Sequence, residues 1–150
     1  PDLVRAFQAG DEVRIRSPEA LRPWQHVLDP LHGYLLLAQS AAAGKGLGAW
    51  NFGPDAYEAW SVARLVGAAA SKWGDDARWC LDARPQPHEA RLLCLDSGKA
   101  RRNLGWKPRL RTEAALEWTL DWYRRHRAGD DMRAFTLAQI REFSMGEEWS

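Results

Sequence analysis

Arg22, Trp24, Gln25 and His26 fall together in the run Arg22-Pro23-Trp24-Gln25-His26-Val27-Leu28-Asp29-Pro30-Leu31. Their side chains are suited to holding a phosphorylated ligand. A guanidinium matches phosphate oxygens as a planar fork, an indole floors a pocket, and an amide and an imidazole supply directional hydrogen bonds. The same residues also have a plainer reading, with Arg22 as a surface cation and Trp24 as an ordinary core residue. Taken alone, they favour the plainer one. Two other places carry polar groups of similar capacity: Arg16, at the end of an alternating segment, and the pair His88 and Glu89 in Pro87-His88-Glu89-Ala90. For Arg16 the plain alternative is an edge-strand charge. For His88 and Glu89 it is a loop pair that bonds only to itself or to the backbone.

The elements that must position these groups are legible from periodicity and breakers. Pro1 to Gly10 reads as a short helix with Leu3, Val4 and Phe7 on one side, and Glu12 to Arg16 alternates as a strand. Asp29-Pro30 reads as N-cap and first helical residue of a helix running to Gly44, directly after the Arg22–His26 segment. Ala49 to Gly53 is a candidate strand, and Ser61 caps a helix ending at Gly74. Arg78 to Asp82 and Arg91 to Leu95 read as strands on either side of the stiff Pro85-Gln86-Pro87 loop, and Ser97 to Leu104 as a short helix ended by Gly105. Thr112 opens the longest helix, Thr136-Leu137-Ala138-Gln139 fits the capping-box pattern of a last short one, and Gly146 to Ser150 reads as a flexible tail. The sum is a single α+β domain over 1–150, with too few βαβ units for a doubly wound sheet of its own.

Composition narrows the functions further. The chain has 150 residues, 45% of them hydrophobic, and a net charge of +1, enough apolar material for one core and no charge bias toward a particular partner. The longest apolar run, Leu35 to Ala43, is interrupted by Gln39 and Ser40, so no membrane span is expected, and with no secretory leader at the start the expected location is the cytoplasm. Lys99, Arg101, Arg102, Lys107, Arg109 and Arg111 cluster around Trp106, but Glu113, Glu117 and Asp121 follow at once, so a solvated face is expected rather than a nucleic-acid surface. The four histidines lack metal-ligand spacing, and Cys80 and Cys94 read as buried reduced thiols. Core is the expectation for Trp60, Trp73, Trp79, Trp118 and Trp122.

The run from Arg22 to Leu31, together with Trp50-Asn51-Phe52-Gly53-Pro54, Pro87-His88-Glu89-Ala90, Leu95-Asp96, Lys99-Ala100-Arg101 and Leu104-Gly105-Trp106-Lys107-Pro108, resembles the C-terminal part of CDP-glucose 4,6-dehydratases, members of the extended short-chain dehydrogenase/reductase superfamily. The resemblance implies a substrate-binding portion whose Rossmann-like NAD-binding half is absent, so that the chain is the terminal piece of a larger protein or a truncated gene product. It also implies that the Trp50 strand joins the sheet of that missing half. Arg22 is then placed on the nucleotide diphosphate, Arg16 with Val13 to Ile15 beside the nucleoside, and Trp24, Gln25 and His26 behind them. The 87–90 loop lies over the nucleotide, with Glu89 toward ribose hydroxyls and His88 toward phosphate, although Gln86 stands where relatives place a cation.

The implied reaction passes hydride from carbon 4 of the hexose to NAD, eliminates water across carbons 5 and 6 and returns hydride to carbon 6, giving a precursor of bacterial dideoxysugars. This chain carries neither of the motifs that such chemistry uses. Gly44, Gly46 and Gly48 follow a helix rather than a strand, and Tyr34, Tyr57 and Tyr123 are followed four positions on by Ala38, Ser61 and Arg127 rather than by lysine. No catalytic, cofactor or metal ligand is therefore expected within it, and no NAD is expected to be retained by it alone. The expected partners are a CDP-sugar, the missing NAD-binding half and, as an option, a second copy. Two alternatives stay open: a fragment of another nucleotide-sugar dehydratase or epimerase, and a non-catalytic nucleotide-binding module.

Overall fold

A computed structural model of the chain describes residues 2–46, 48–74, 77–82, 84 and 91–146. Helix α1 (Asp2–Ala9) turns Val4 and Phe7 inward and ends at Gly10, whose φ of +73° suits glycine. Strand β1 (Glu12–Ile15) follows, then β2 (Leu21–Arg22), α2 (Leu28–Ala42), β3 (Trp60–Ser61), α3 (Val62–Trp73), β4 (Arg78–Leu81), α4 (Gly98–Leu104), α5 (Thr112–Ala128) and α6 (Met132–Met145). The strands form two separate open ribbons. β1 pairs parallel with β4, Glu12 opposite Arg78 and Ile15 opposite Leu81, while β2 pairs antiparallel with β3, Arg22 opposite Trp60. The domain is α+β, as the pattern of elements led one to expect, and none of its described helices is long and apolar enough to cross a membrane.

Several starts and stops fall where the sequence puts them. Ser61 Oγ accepts from the N–H of Arg64 at 3.2 Å and so caps α3, and Gly105 ends α4 at a φ of +65°. Other boundaries differ, each for a local reason. Helix α2 begins one residue before Asp29, with Val27 as its N-cap and no side-chain bond from that residue. His26 Nδ1 instead accepts from the N–H of Leu28 at 3.3 Å, and Asp29 turns inward. The final helix opens at Met132, not Thr136: Asp131, close behind the turn at Gly129, accepts from the N–H of Ala134 first. Thr136 and Gln139 are thereby interior to α6, where Thr136 Oγ1 accepts from Trp122 Nε1 and Gln139 donates to the carbonyl of Trp118.

Two expected strands do not form. Across Ala49–Gly53 the backbone groups are taken by side chains: Lys99 Nζ donates to Ala49 O, Gln25 Nε2 to Phe52 O, and Gly53 N–H donates to Ser97 Oγ, so no ladder develops there. Arg91–Leu95 is reduced to one parallel bridge between Leu21 and Leu92. Leu21 N–H donates to Arg91 O, and Leu93 N–H donates to Leu21 O. The 85–90 loop, with His88 and Glu89, and the tail beyond Gly146 lie outside the described residues.

The core falls into three patches. Val4, Phe7, Trp60, Ala69, Leu116 and Leu120 join α1, β3, α3 and α5. Phe52, Ala100 and Trp106 form a second, and Leu110, Ala115 and Phe143 a third. Of the tryptophans expected in the core only Trp60 is fully buried; Trp73, Trp79, Trp118 and Trp122 are half-buried. Trp106 is wholly buried, because its indole N–H donates to Asp29 O at 3.1 Å and Phe52 meets its ring edge-on. The cysteines depart from expectation too, Cys80 being half-buried with its thiol donating to Glu12, and Cys94 exposed.

Candidate functional site

The segment from Arg22 to His26 leaves a ribbon and enters a helix, and three side chains pin it. Trp24 Nε1 donates to Trp60 O at 3.0 Å, Gln25 Nε2 donates to Phe52 O at 3.0 Å, and His26 Nδ1 receives the N–H of Leu28. Arg22 sits on the ribbon itself, half-buried, with its backbone registered against Trp60 and its Nη1 donating to Leu21 O at 3.0 Å. Arg16 lies one residue beyond β1 and is exposed.

These residues do not all meet in one cavity. A cleft of about 420 Å³ opens between the start of α2 and helices α5 and α6, walled by Gln25, His26, Leu28, Trp122, Tyr123 and Gln139. A second cavity, about 400 Å³, is walled by Trp24, Gln25, Leu65, Thr112, Leu116 and Thr119. Gln25 borders both, and its Oε1 is buried with no hydrogen-bond partner among the described residues. Arg16 and Arg22 line neither. The chain therefore places Trp24 and His26 in two cavities that share Gln25, and leaves Arg16, just beyond β1, and Arg22, on β2, outside both.

The electrostatics refine what the imidazole can do. Burial pushes His26 down to about 4, so the ring is neutral near pH 7 and takes part as a hydrogen-bonding group rather than a cation. Trp118 approaches it edge-on with centroids 5.8 Å apart. Asp29, which the sequence suggested only as a cap, is completely buried. Its Oδ1 accepts from the N–H of Arg109 at 2.7 Å, and burial raises its carboxyl to about 6. Two structural contacts were not visible in local sequence: Glu58 accepts from the N–H of Thr112 at the start of α5, and Gln139 bonds to Trp118 O. Only the run of polar residues at one-turn spacing on α6 hinted at the second.

No family model matches this sequence. Among curated proteins, 145 residues of the chain align at 40% identity with the CDP-glucose 4,6-dehydratase of Salmonella typhimurium, a match over 95% of this chain. The chain is a homologue of that dehydratase. It spans 40% of the length of the Salmonella protein. The resemblance read from the Arg22–Leu31, Trp50–Pro54, Pro87–Ala90 and Leu104–Pro108 phrases thus holds as homology along nearly the whole chain. Several of those phrases are also structural joints: Trp106 and Asp29 are bonded to each other, and Gln25 is bonded to Phe52.

Proposed function

We propose that the chain is the C-terminal, substrate-holding part of a CDP-glucose 4,6-dehydratase, a lyase forming CDP-4-keto-6-deoxyglucose for bacterial dideoxysugars and surface polysaccharide, and that it works in the cytoplasm. The observation that carries this is the 40% identity over 95% of the chain. Arg22 grips the diphosphate, Arg16 lies toward the nucleoside, and Trp24, Gln25 and His26 brace the segment that presents Arg22. His88 and Glu89 complete the nucleotide cover. The role is positional, since a clamp on the nucleotide handle fixes where the sugar lies for chemistry performed by other groups.

NAD serves the complete enzyme as hydride carrier, but the described residues do not fit it. The helix that directly follows a strand, α3, opens with Ser61-Val62-Ala63-Arg64 instead of a glycine-rich turn, and Gly44 and Gly46 come after α2. The cofactor and the proton-moving tyrosine and lysine are assigned to a separate NAD-binding part. The outer face of α2 supports such a partner: Val27 at its N-cap and Leu31, Tyr34 and Leu35 within it are 60%, 45%, 58% and 66% exposed at helical spacing.

Two measurements test the reading. Calorimetric titration of the purified chain with CDP, dTDP, UDP and GDP should show preference for CDP. Incubation with NAD and CDP-glucose should give no 4-keto product; turnover by this chain alone would place catalytic groups within it and overturn the division of labour.

A further inference from the structure

The basic residues between Lys99 and Arg111 do not simply spread over a solvated face. Arg101, Lys107, Arg109 and Arg111 converge with Asp55 and Glu58 on a polar cleft of about 280 Å³, formed where the short 3-10 turn Ala56–Glu58 meets α4 and the start of α5. One carboxylate is in an ion pair and the other holds a helix start. Asp55 Oδ1 takes Arg101 Nη2 at 2.5 Å, and Glu58 Oε2 receives the N–H of Thr112 at 3.2 Å. Arg109 Nη1 donates to the carbonyls of Phe143 and Ser144 at 2.6 and 3.4 Å, and its charge also acts on the buried Asp29 carboxyl. Among the described residues, neither Arg109 nor Arg111 forms an ion pair with a carboxylate. Arg109 also disfavours the protonated form of His32 on α2, second to burial.

The geometry points to an anion site here, apart from the Arg22 segment, that takes a ligand bearing a phosphate dianion or diphosphate. Arg109 and Arg111 supply planar donors and Lys107 an ammonium group, all around one polar hollow. Four cations set against two carboxylates around a concave site raise the local potential that an anion meets. Tyr57 lines the same cleft and is 78% exposed, so its ring is available to a flat organic group attached to the phosphate. Inorganic phosphate species and nucleotides share this chemistry, and the two sources differ in whether they use Tyr57.

The test uses the full chain carrying Arg22→Ala, so that any diphosphate binding at the proposed substrate segment is weakened beforehand. Calorimetry with inorganic pyrophosphate at low ionic strength should show saturable one-to-one binding that weakens as salt is added. Adding Arg111→Ala or Lys107→Ala should each loosen it by about tenfold. Both side chains are exposed, so the variants should melt with the parent. Running ADP in parallel decides the source: tighter binding that Tyr57→Ala brings back to the pyrophosphate value supports a nucleotide, and equal binding supports free phosphate species. Absence of saturable heat at millimolar pyrophosphate overturns the site, as does binding indifferent to both Arg111 and Lys107. Because CDP binding to the unmodified chain is measured separately, loss of the substrate reading and loss of this site are distinguishable.

Discussion

Asp29 Oδ1 accepts a 2.7 Å hydrogen bond from the backbone N–H of Arg109, eighty residues further along the chain. The carboxylate so holds the loop before α5, while Trp106 reaches the same residue's carbonyl. Its second oxygen is buried without a hydrogen-bond partner among the described residues, and desolvation outweighs the backbone hydrogen bonds and the Arg109 charge, pushing the carboxyl up to about 6. The unfolded chain holds that proton only near 3.8, so stability from Asp29 grows as pH falls from about 6 toward 4. His26 acts oppositely: its folded value near 4 lies below 6.5, so stability is lost over the same fall. The two should largely cancel. Asp29→Asn should therefore unmask an acid-induced loss of up to about 3 kcal/mol between pH 6.5 and 4. Urea denaturation across that range checks it, and superimposable pH curves for the two proteins would count against it.

Gly33 lies directly under the Phe52 ring, where an added Cβ would stand 2.3 Å from Cδ1. The ring has little room to yield, with Trp106 at 5.3 Å and Tyr34 at 5.5 Å between centroids. Gly33→Ala should cost about 1–3 kcal/mol by overpacking. In the Gly33→Ala/Phe52→Ala double variant the penalty should fall short of the two single penalties summed. Strict additivity in thermal or urea unfolding would show that the two positions do not meet.

Trp106 and Trp122 should differ in a way their residue type does not announce. Trp106→Ala removes a wholly buried ring and its bond to Asp29, and should cost about 3–5 kcal/mol. Trp122 is half-buried, borders the open cleft and bonds to Thr136, so its replacement by alanine should cost about 1–2 kcal/mol less than that of Trp106. A melting series of both variants measures the gap; a larger loss at Trp122 would mean that the cleft is closed in solution.

Arg22→Ala should weaken CDP binding by about 1.5–3 kcal/mol, the usual loss for a charge-assisted hydrogen bond. The backbone at Arg22 is fixed by its register with Trp60, so the fold should survive and the melting temperature stay near that of the parent. Unchanged CDP affinity in calorimetry would return Arg22 to the rank of a surface cation.

Sequence alone determined the elements whose signals are local. The Ser61 cap, the glycine stops at residues 10 and 105 and the long helix from Thr112 depend on neighbours a few positions away, and the composition of β1 and β4 is local although their pairing with each other is not. The homology was legible for the same reason, being carried by short phrases in a fixed order. What the tertiary structure decided is how polar groups distant in sequence compensate one another. Ala49–Gly53 has the composition of a strand, yet Lys99, Gln25 and Ser97 take its backbone groups and no ladder forms. Asp29 has the type and position of a cap, yet the buried N–H of Arg109 draws it inward and His26 serves the helix start in its place. Trp106 lies among cations along the chain, yet it is wholly buried, while Arg101, Lys107, Arg109 and Arg111 gather in one cleft. A buried donor or acceptor must find its partner wherever the fold supplies one, and a local window cannot contain a partner eighty residues away.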